Sequence, residues 1–383
     1  MKWQRLELEG EERQMMIYIL LLLFILFSYF FCMHIPTSLQ KRKLFFLNIV
    51  FTAIYLLFVL RSSSVGRDIL GYEQAYSLTK NMRWENFSYI YFEKGYILLM
   101  KICLGLGCSF QVFLGIVYAI ILIPIYLVIR KYSKNVLLSI IIYYCYIYFE
   151  FNLTGIRQSL AMSIVLVGYI VFVESKNFKV VKYLIFVTLA VFFHNGAVAC
   201  YLFILLLPIK SIKKFTIVIA FGTISSLIIR NYIFIFIKEF FDKDAFKLGA
   251  GLYFGGNIIF LLGLAILFLI IQSHQVRNGR IIKTNRNHLK IDSQTYNVEE
   301  VNIKMFLISI MLALFFGSET SARSYMFLNQ VIILQLPNSI NMLDAKSKLL
   351  SNVFFYVFFI IFFFTNTLLP NNFDIVPYKF FWQ

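Results

Sequence analysis

From Met16 to Phe31, and again from Val353 to Phe364, the chain carries no charged residue and no polar stripe at helical spacing. A helix with water along one side needs such a stripe, so these runs face lipid or one another. Composition agrees: 60% of the residues are hydrophobic and 14% charged, where soluble domains have roughly 45–50% and 25%. At roughly 20 residues per membrane-crossing helix, about twelve spans consume most of the chain and leave no room for a separate soluble catalytic domain.

The predicted fold is therefore all-α, a polytopic integral membrane protein. Spans are expected at 15–33, 44–60, 111–129, 136–149, 157–173, 180–193, 196–207, 215–229, 251–272, 303–317, 322–341 and 350–364. Residues 95–107 read as a short re-entrant or interfacial element, too brief to cross and interrupted by Lys101, Gly105 and Gly107. Residues 231–241 read as an interfacial helix flanked by charge. Residues 1–14 form an N-terminal extension, with Met15 or Met16 as an alternative start. The membrane domain covers 15–366, with an outer loop at 61–94 and a solvated cytoplasmic loop at 273–302, and 367–383 is a short C-terminal tail.

Lysine and arginine exceed the acidic residues by 17, a balance that can mark a nucleic-acid binder. Here topology accounts for it. The clusters at Lys41 to Lys43, Arg130 to Lys134, Lys176 to Lys182, Lys210 to Lys214 and Arg277 to Lys290 all lie between apolar runs, as the positive-inside bias requires of cytoplasmic loops. With 95–107 not spanning, all five fall on one side and both termini lie outside; no nucleic-acid partner is expected. The five cysteines form no CxxC pair and lie in or beside apolar segments, so neither a disulfide framework nor a metal site is indicated.

This topology collects the scarce polar residues on the outer face, among them Arg61, Asp68, Glu93, Glu150, Arg157, Gln158, His194, Glu319 and Arg323. Ionisable groups near a bilayer usually have a partner or a task. The four-residue spacing of Asp68, Tyr72 and Tyr76 sets a carboxylate beside two phenols, a pattern able to hold a sugar, although an Asp after a glycine turn also serves as a helix cap. Glu93 opens the short element as a cap or a base. Arg157 opens a helix, where a guanidinium and free backbone N–H groups together suit phosphate; the alternative is a side chain that merely reaches back to water. His194 lies in the break before Gly196. Arg323 opens a later helix, and two arginines at helix starts make a diphosphate clamp.

Taken in order, these residues resemble the EpsG family, which is grouped with the Wzy-like polymerases of bacterial exopolysaccharide and capsule. The resemblance rests on GxDxxxY (Gly66, Asp68, Tyr72), FExGY (Phe92, Glu93, Gly95, Tyr96), IRQxxA (Ile156, Arg157, Gln158, Ala161) and FH (Phe193, His194). Arg323 with its trailing aromatics, Pro337, and Pro377-Tyr378 before Phe380-Phe381-Trp382 extend it. It implies a multi-pass protein of the bacterial cytoplasmic membrane that joins oligosaccharide repeat units carried on undecaprenyl diphosphate, at the outer face and without a cofactor. The implied partners are the lipid-linked repeat unit, the growing polysaccharide, the bilayer and other polysaccharide-export proteins. On this reading Arg157 and Arg323 take the diphosphate, Asp68, His194 or Glu93 takes the proton, and Tyr72 and Gln158 contact sugar. A flippase for the same lipid-linked saccharides, and an acyltransferase using His194 with Asn195, are the competing functions.

Overall fold

The computed structural model describes residues 2–82, 91–241, 256–277, 298–316 and 319–383. Its helices are α1 (Lys2–His34), α2 (Leu39–Val59), α3 (Ile69–Asn81), α4 (Lys94–Gly105), α5 (Phe110–Tyr132), α6 (Val136–Cys145), α7 (Ile147–Thr154), α8 (Ile156–Glu174) and α9 (Lys179–Phe193). After a 3-10 turn at Asn195–Cys200 come α10 (Tyr201–Leu206), α11 (Ile212–Phe241), α12 (Gly256–Arg277), α13 (Val298–Phe316), α14 (Glu319–Asn329), α15 (Ile332–Asn341) and α16 (Ala345–Phe362), which runs into a π-helical turn at Phe363–Leu368. Among the described residues, six stretches are long and apolar enough to cross a membrane: Met15–His34, Leu39–Val59, Phe110–Tyr132, Ile156–Glu174, Ile212–Ile229 and Ala345–Leu368. The protein is thus an all-helical, multi-pass membrane protein.

Of the roughly twelve spans expected, several are shorter or broken among the described residues. The run 136–149 belongs to two helices, α6 and α7, bent by 50° at Tyr146, whose backbone is extended; counting the pair as one span gives seven. The run 322–341 is interrupted at Gln330–Val331, between α14 and α15, and α15 itself carries Pro337 inside it. The run 196–207 is a 3-10 turn followed by six helical residues. The 15 residues of α9 reach about 22 Å, short of the roughly 30 Å hydrocarbon layer. Residues 231–241 are not a separate interfacial helix but the continuation of α11. Within the expected loop 273–302, the stretch 278–297 lies outside the described residues, as do 251–255 of the ninth expected span and the 83–90 portion of the outer loop.

The chain divides into two compact units. The first comprises Met1–Leu166, Phe192–Asn195 and Leu349–Gln383. Its core is built where α2 lies against α1 and α5, with Phe46, Ile54, Phe58, Phe113, Tyr118 and Ile121 buried. The Phe58 ring sits 4.8 Å from Tyr118 and 5.2 Å from Phe149. Side-chain caps start its long helices: Ser38 accepts from Lys41 N–H, Ser109 from Val112 N–H and Asn135 from Leu138 N–H. Arg130 and Lys131 close α5, where cations complement the helix dipole.

One end of this unit holds the start of α6 and of α16, tied by Asn135 Nδ2 to Asn352 and to Tyr356, each at 3.1 Å. The other end is tied by Gln111 at the start of α5, which donates to the Val59 carbonyl at the close of α2. The tail is part of this second end. Ser62 N–H donates to Lys379 O at 2.8 Å, Phe381 N–H to Leu60 O at 2.9 Å, Gly66 N–H to Asp374 O at 2.8 Å and Arg67 N–H to Phe373 O at 2.9 Å. Tyr18 and Tyr378 fasten it from below through Ile375 O and Leu57 O, at 2.6 and 2.8 Å.

The second unit comprises Val167–Val191 and Gly196–Lys348. Phe172, Tyr183 and Phe203 form one aromatic cluster, with centroids 5.4–5.9 Å apart. Lys304, inside an expected span, is buried, paired with Glu300 at 2.7 Å one turn earlier and set over the Phe215 ring. Tyr169 donates to Asn302 at 2.7 Å, satisfying polar groups that lipid could not.

Candidate active site

Asp68 precedes α3 and Glu93 precedes α4, the positions of capping residues, yet neither carboxylate makes a cap hydrogen bond. Both are left for other work. Asp68 is half-buried, and one turn on, Tyr72 packs its ring against Phe92 and Tyr96 with centroids 5.3 and 5.6 Å away. Burial pushes the Tyr72 phenol above its usual range, the guanidinium and backbone N–H of Arg157 offset part of that rise, and the Asp68 carboxylate adds to it. Asp68, Tyr72 and Arg157 therefore share one locale. Tyr76, the third member of the predicted face, is instead committed to the fold: it donates to Cys108 O at 2.8 Å, and burial pushes it up to about 12.

Arg157 occupies the first turn of α8. The first helical bond there runs from Ser159 N–H to Gly155 O at 2.9 Å, so the N–H groups of 156–158 precede the ladder. The Arg157 guanidinium lies 4.3 Å over the Phe92 ring and pairs with Glu93 Oε2. The other Glu93 oxygen accepts from Asn195 N–H at 3.3 Å. Both side chains are mostly covered, at 19% and 13% exposure, so the pair is less screened than a surface bridge. His194, half-buried, is the linker between α9 and the 3-10 turn beside this contact.

Gly95 makes the docking possible. A Cβ there would come 2.7 Å from Phe192 O and 2.9 Å from Phe192 C. Gly95→Ala is expected to push α4 off the Phe192–Asn195 segment, costing about 1–3 kcal/mol as overpacking does; a lowered melting temperature in detergent checks it, and an unchanged one would refute the close approach.

Gln158 is buried, with Nε2 3.9 Å from Met162 Sδ, so it underlies the site. Arg323 lies exposed on α14 in the second unit, and the side chain of Glu319 is outside the described residues. The site assembled here comes from the first unit alone.

Two groups were given no role by the sequence reading. Glu150 is buried on α7, close to Thr367 of the π-helical turn. Arg61 is wholly buried just past α2 and donates to Val65 O at 2.8 Å, to Leu153 O and to the Tyr118 hydroxyl. Tyr118 in turn donates to Asn152 O at 3.0 Å. One guanidinium thus ties the turn leading to Asp68 to the last helical turn before Arg157. Between them Gly66 has φ +96°, and a Cβ there would lie 2.3 Å from Leu153 O, a conformation open to glycine. The only sequence signal for Arg61 was a lone arginine at the end of a span.

The segments that this geometry brings together are the ones carrying the sequence resemblance. No curated protein and no solved structure matches the chain. The profile of the EpsG family matches residues 44–380 of the 383, a stretch that includes the Asp68 turn, the Glu93–Arg157 pair, the His194 linker and most of the docked tail, and the chain accordingly belongs to the EpsG family.

Proposed function

We propose that this protein is a polysaccharide polymerase that joins oligosaccharide repeat units carried on undecaprenyl diphosphate, at the outer face of the cytoplasmic membrane. The observation that carries the reading is the Arg157 guanidinium, held at the opening turn of α8 by Glu93 and the Phe92 ring, beside Asp68 and Tyr72. A fixed cation next to unladdered N–H groups suits a diphosphate. A half-buried carboxylate that is not spent on capping suits a proton acceptor.

In the reaction a sugar hydroxyl of one lipid-linked unit attacks the anomeric carbon of another. The new C–O bond forms as the anomeric carbon–oxygen bond to the diphosphate breaks, and the hydroxyl proton passes to Asp68, with His194 the second candidate. The Arg157 guanidinium and the N–H groups of 156 and 158 take up the charge that develops on the departing diphosphate. Glu93 acts as the holder of Arg157, exchanging its place with the diphosphate when substrate arrives, and the buried Tyr72 backs the guanidinium from behind.

Purified protein in detergent, given a defined undecaprenyl-diphosphate repeat unit, is expected to produce a ladder of lengthened products. Absence of any ladder, together with repeat units trapped inside cells lacking the protein, would replace this reading with that of a flippase.

A further inference from the structure

The C-terminal tail lies where several candidate spans end. The 21 residues of α2 reach about 31 Å, the full depth of the hydrocarbon layer, so Leu60, Arg61 and Ser62 stand at its edge. The tail is bonded to this edge. Phe381 N–H donates to Leu60 O and Ser62 N–H to Lys379 O, and Arg61 and Phe380 form an isolated antiparallel bridge between those two bonds. Two further markers give the same level. The Tyr18 hydroxyl, which donates to Ile375 O, belongs to the first turn of the span that begins at Met15, and the tail itself leaves α16 where the span Ala345–Leu368 stops.

What the tail presents at this level is apolar. Ile375 and Tyr378 are buried, whereas Leu369, Phe381 and Trp382 are exposed, the last two at 50% and 60%. They are held in place all the same. Tyr378, anchored through Leu57 O, meets Phe380 edge-on at 5.1 Å, and Phe380 stacks on Trp382 at 4.6 Å with the two rings 10° apart. Phe381 meets the same indole edge-on at 4.9 Å. A line of rings thus runs from the core to an indole that is largely open, with Lys379 exposed beside it.

We infer that Phe381 and Trp382 are seated in the boundary between lipid headgroups and acyl chains, and that this seat holds the tail down on residues 60–67. The partner is a lipid surface. The headgroup zone extends roughly 5–8 Å beyond the hydrocarbon on each side, and Phe381, bonded one residue past the end of α2, falls within it. Tryptophan favours that zone because its ring is apolar and its N–H polar, and an adjacent lysine can extend its ammonium to the phosphates. A sugar is the other ligand that an open indole suits, but its hydroxyls need polar side chains around the ring, and Gln383 already uses its side-chain oxygen on Phe380 N–H at 2.9 Å. The inference needs the membrane spans and not the polymerase reading.

The chain has three tryptophans, Trp3, Trp84 and Trp382, so full-length protein carrying Trp3→Phe and Trp84→Phe reports on Trp382 alone. In phosphatidylcholine vesicles its emission is expected to fall about twofold or more with lipid brominated high on the acyl chain, as for an indole at the interface. Lipid brominated near the chain end, and iodide in the water, should quench it less. Trp382→Phe in the otherwise unaltered protein should remove the same quenched component, a check that does not need the other two substitutions. Replacing both rings, Phe381→Ser with Trp382→Ser, should speed hydrogen exchange at the Ser62, Gly66 and Arg67 amides about tenfold in lipid nanodiscs, as a local opening does, and leave α5 as it was. Emission quenched by iodide and not by brominated lipid, or emission shifted by free oligosaccharide in place of lipid, would overturn the seat. Exchange quickened no more at 60–67 than in α5 would overturn its hold on the tail.

Discussion

Arg157→Ala protein that inserts and purifies normally is expected to lose polymer formation by about a hundredfold or more, the scale on which removing one preorganised donor to a developing anion acts. Two losses combine in this variant. The guanidinium that would meet the leaving diphosphate is gone, and Glu93 keeps a covered carboxylate with only the Asn195 N–H left to it among the hydrogen bonds described. An uncompensated charge of that kind repels the substrate diphosphate, so the loss should fall on both the turnover and the apparent affinity. Arg157→Lys restores the charge without the planar fork or its stacking on Phe92 and should recover only part of the activity. Long polymer from Arg157→Ala would remove this residue from the mechanism.

The second large effect is expected from Arg61→Ala, through architecture and not through contact with substrate. Truncation strips a donor from Val65 O, Leu153 O and the Tyr118 hydroxyl in a pocket with no access to water. Each buried acceptor left unpaired costs about 1–3 kcal/mol, so a loss of several kcal/mol and a clearly lower melting temperature in detergent should follow. The Asp68 turn and the start of α8 would no longer be held together, and activity should fall even in the fraction that remains folded. Arg61→Lys, which can satisfy carbonyls one at a time but not fork between them, should sit between the two. Melting and polymer length both matching the unaltered protein would show that the three bonds are not what joins these segments.

How much of this was readable beforehand depends on what each signal reports. Long apolar runs report burial or lipid contact, so α2, α5, α8, α16 and the apolar part of α1 from Met15 were placed within a few residues, whereas the helix of α1 already starts at Lys2. They do not report backbone direction. The run through Tyr146 stays apolar across a 50° bend, and nothing in its hydrophobicity distinguishes that bend from a straight helix. The charge flanking 231–241 suggested a boundary, yet α11 continues through it. The site divides in the same way. Asp68, Tyr72, Glu93, Arg157 and His194 were each singled out by residue type and position, but the joining of Glu93 to Arg157 across 64 residues is tertiary information. So is the closeness of Gly95 to the backbone of Phe192. Arg61 was noticed only as a polar residue at a membrane edge, because a guanidinium that serves backbone carbonyls has no partner motif to betray it.

The tail bonded across residues 60–67 makes the turn before Asp68 depend on a segment roughly 300 residues further along the chain. Gly66 and Arg67 spend their N–H groups on Asp374 and Phe373, and Leu60 and Ser62 bond Phe381 and Lys379. A copy truncated after residue 366 would keep α1 to α16 and still lack the strap that sets the turn before Asp68. On the proposed function, such a truncated copy should make little polymer although its helices are complete.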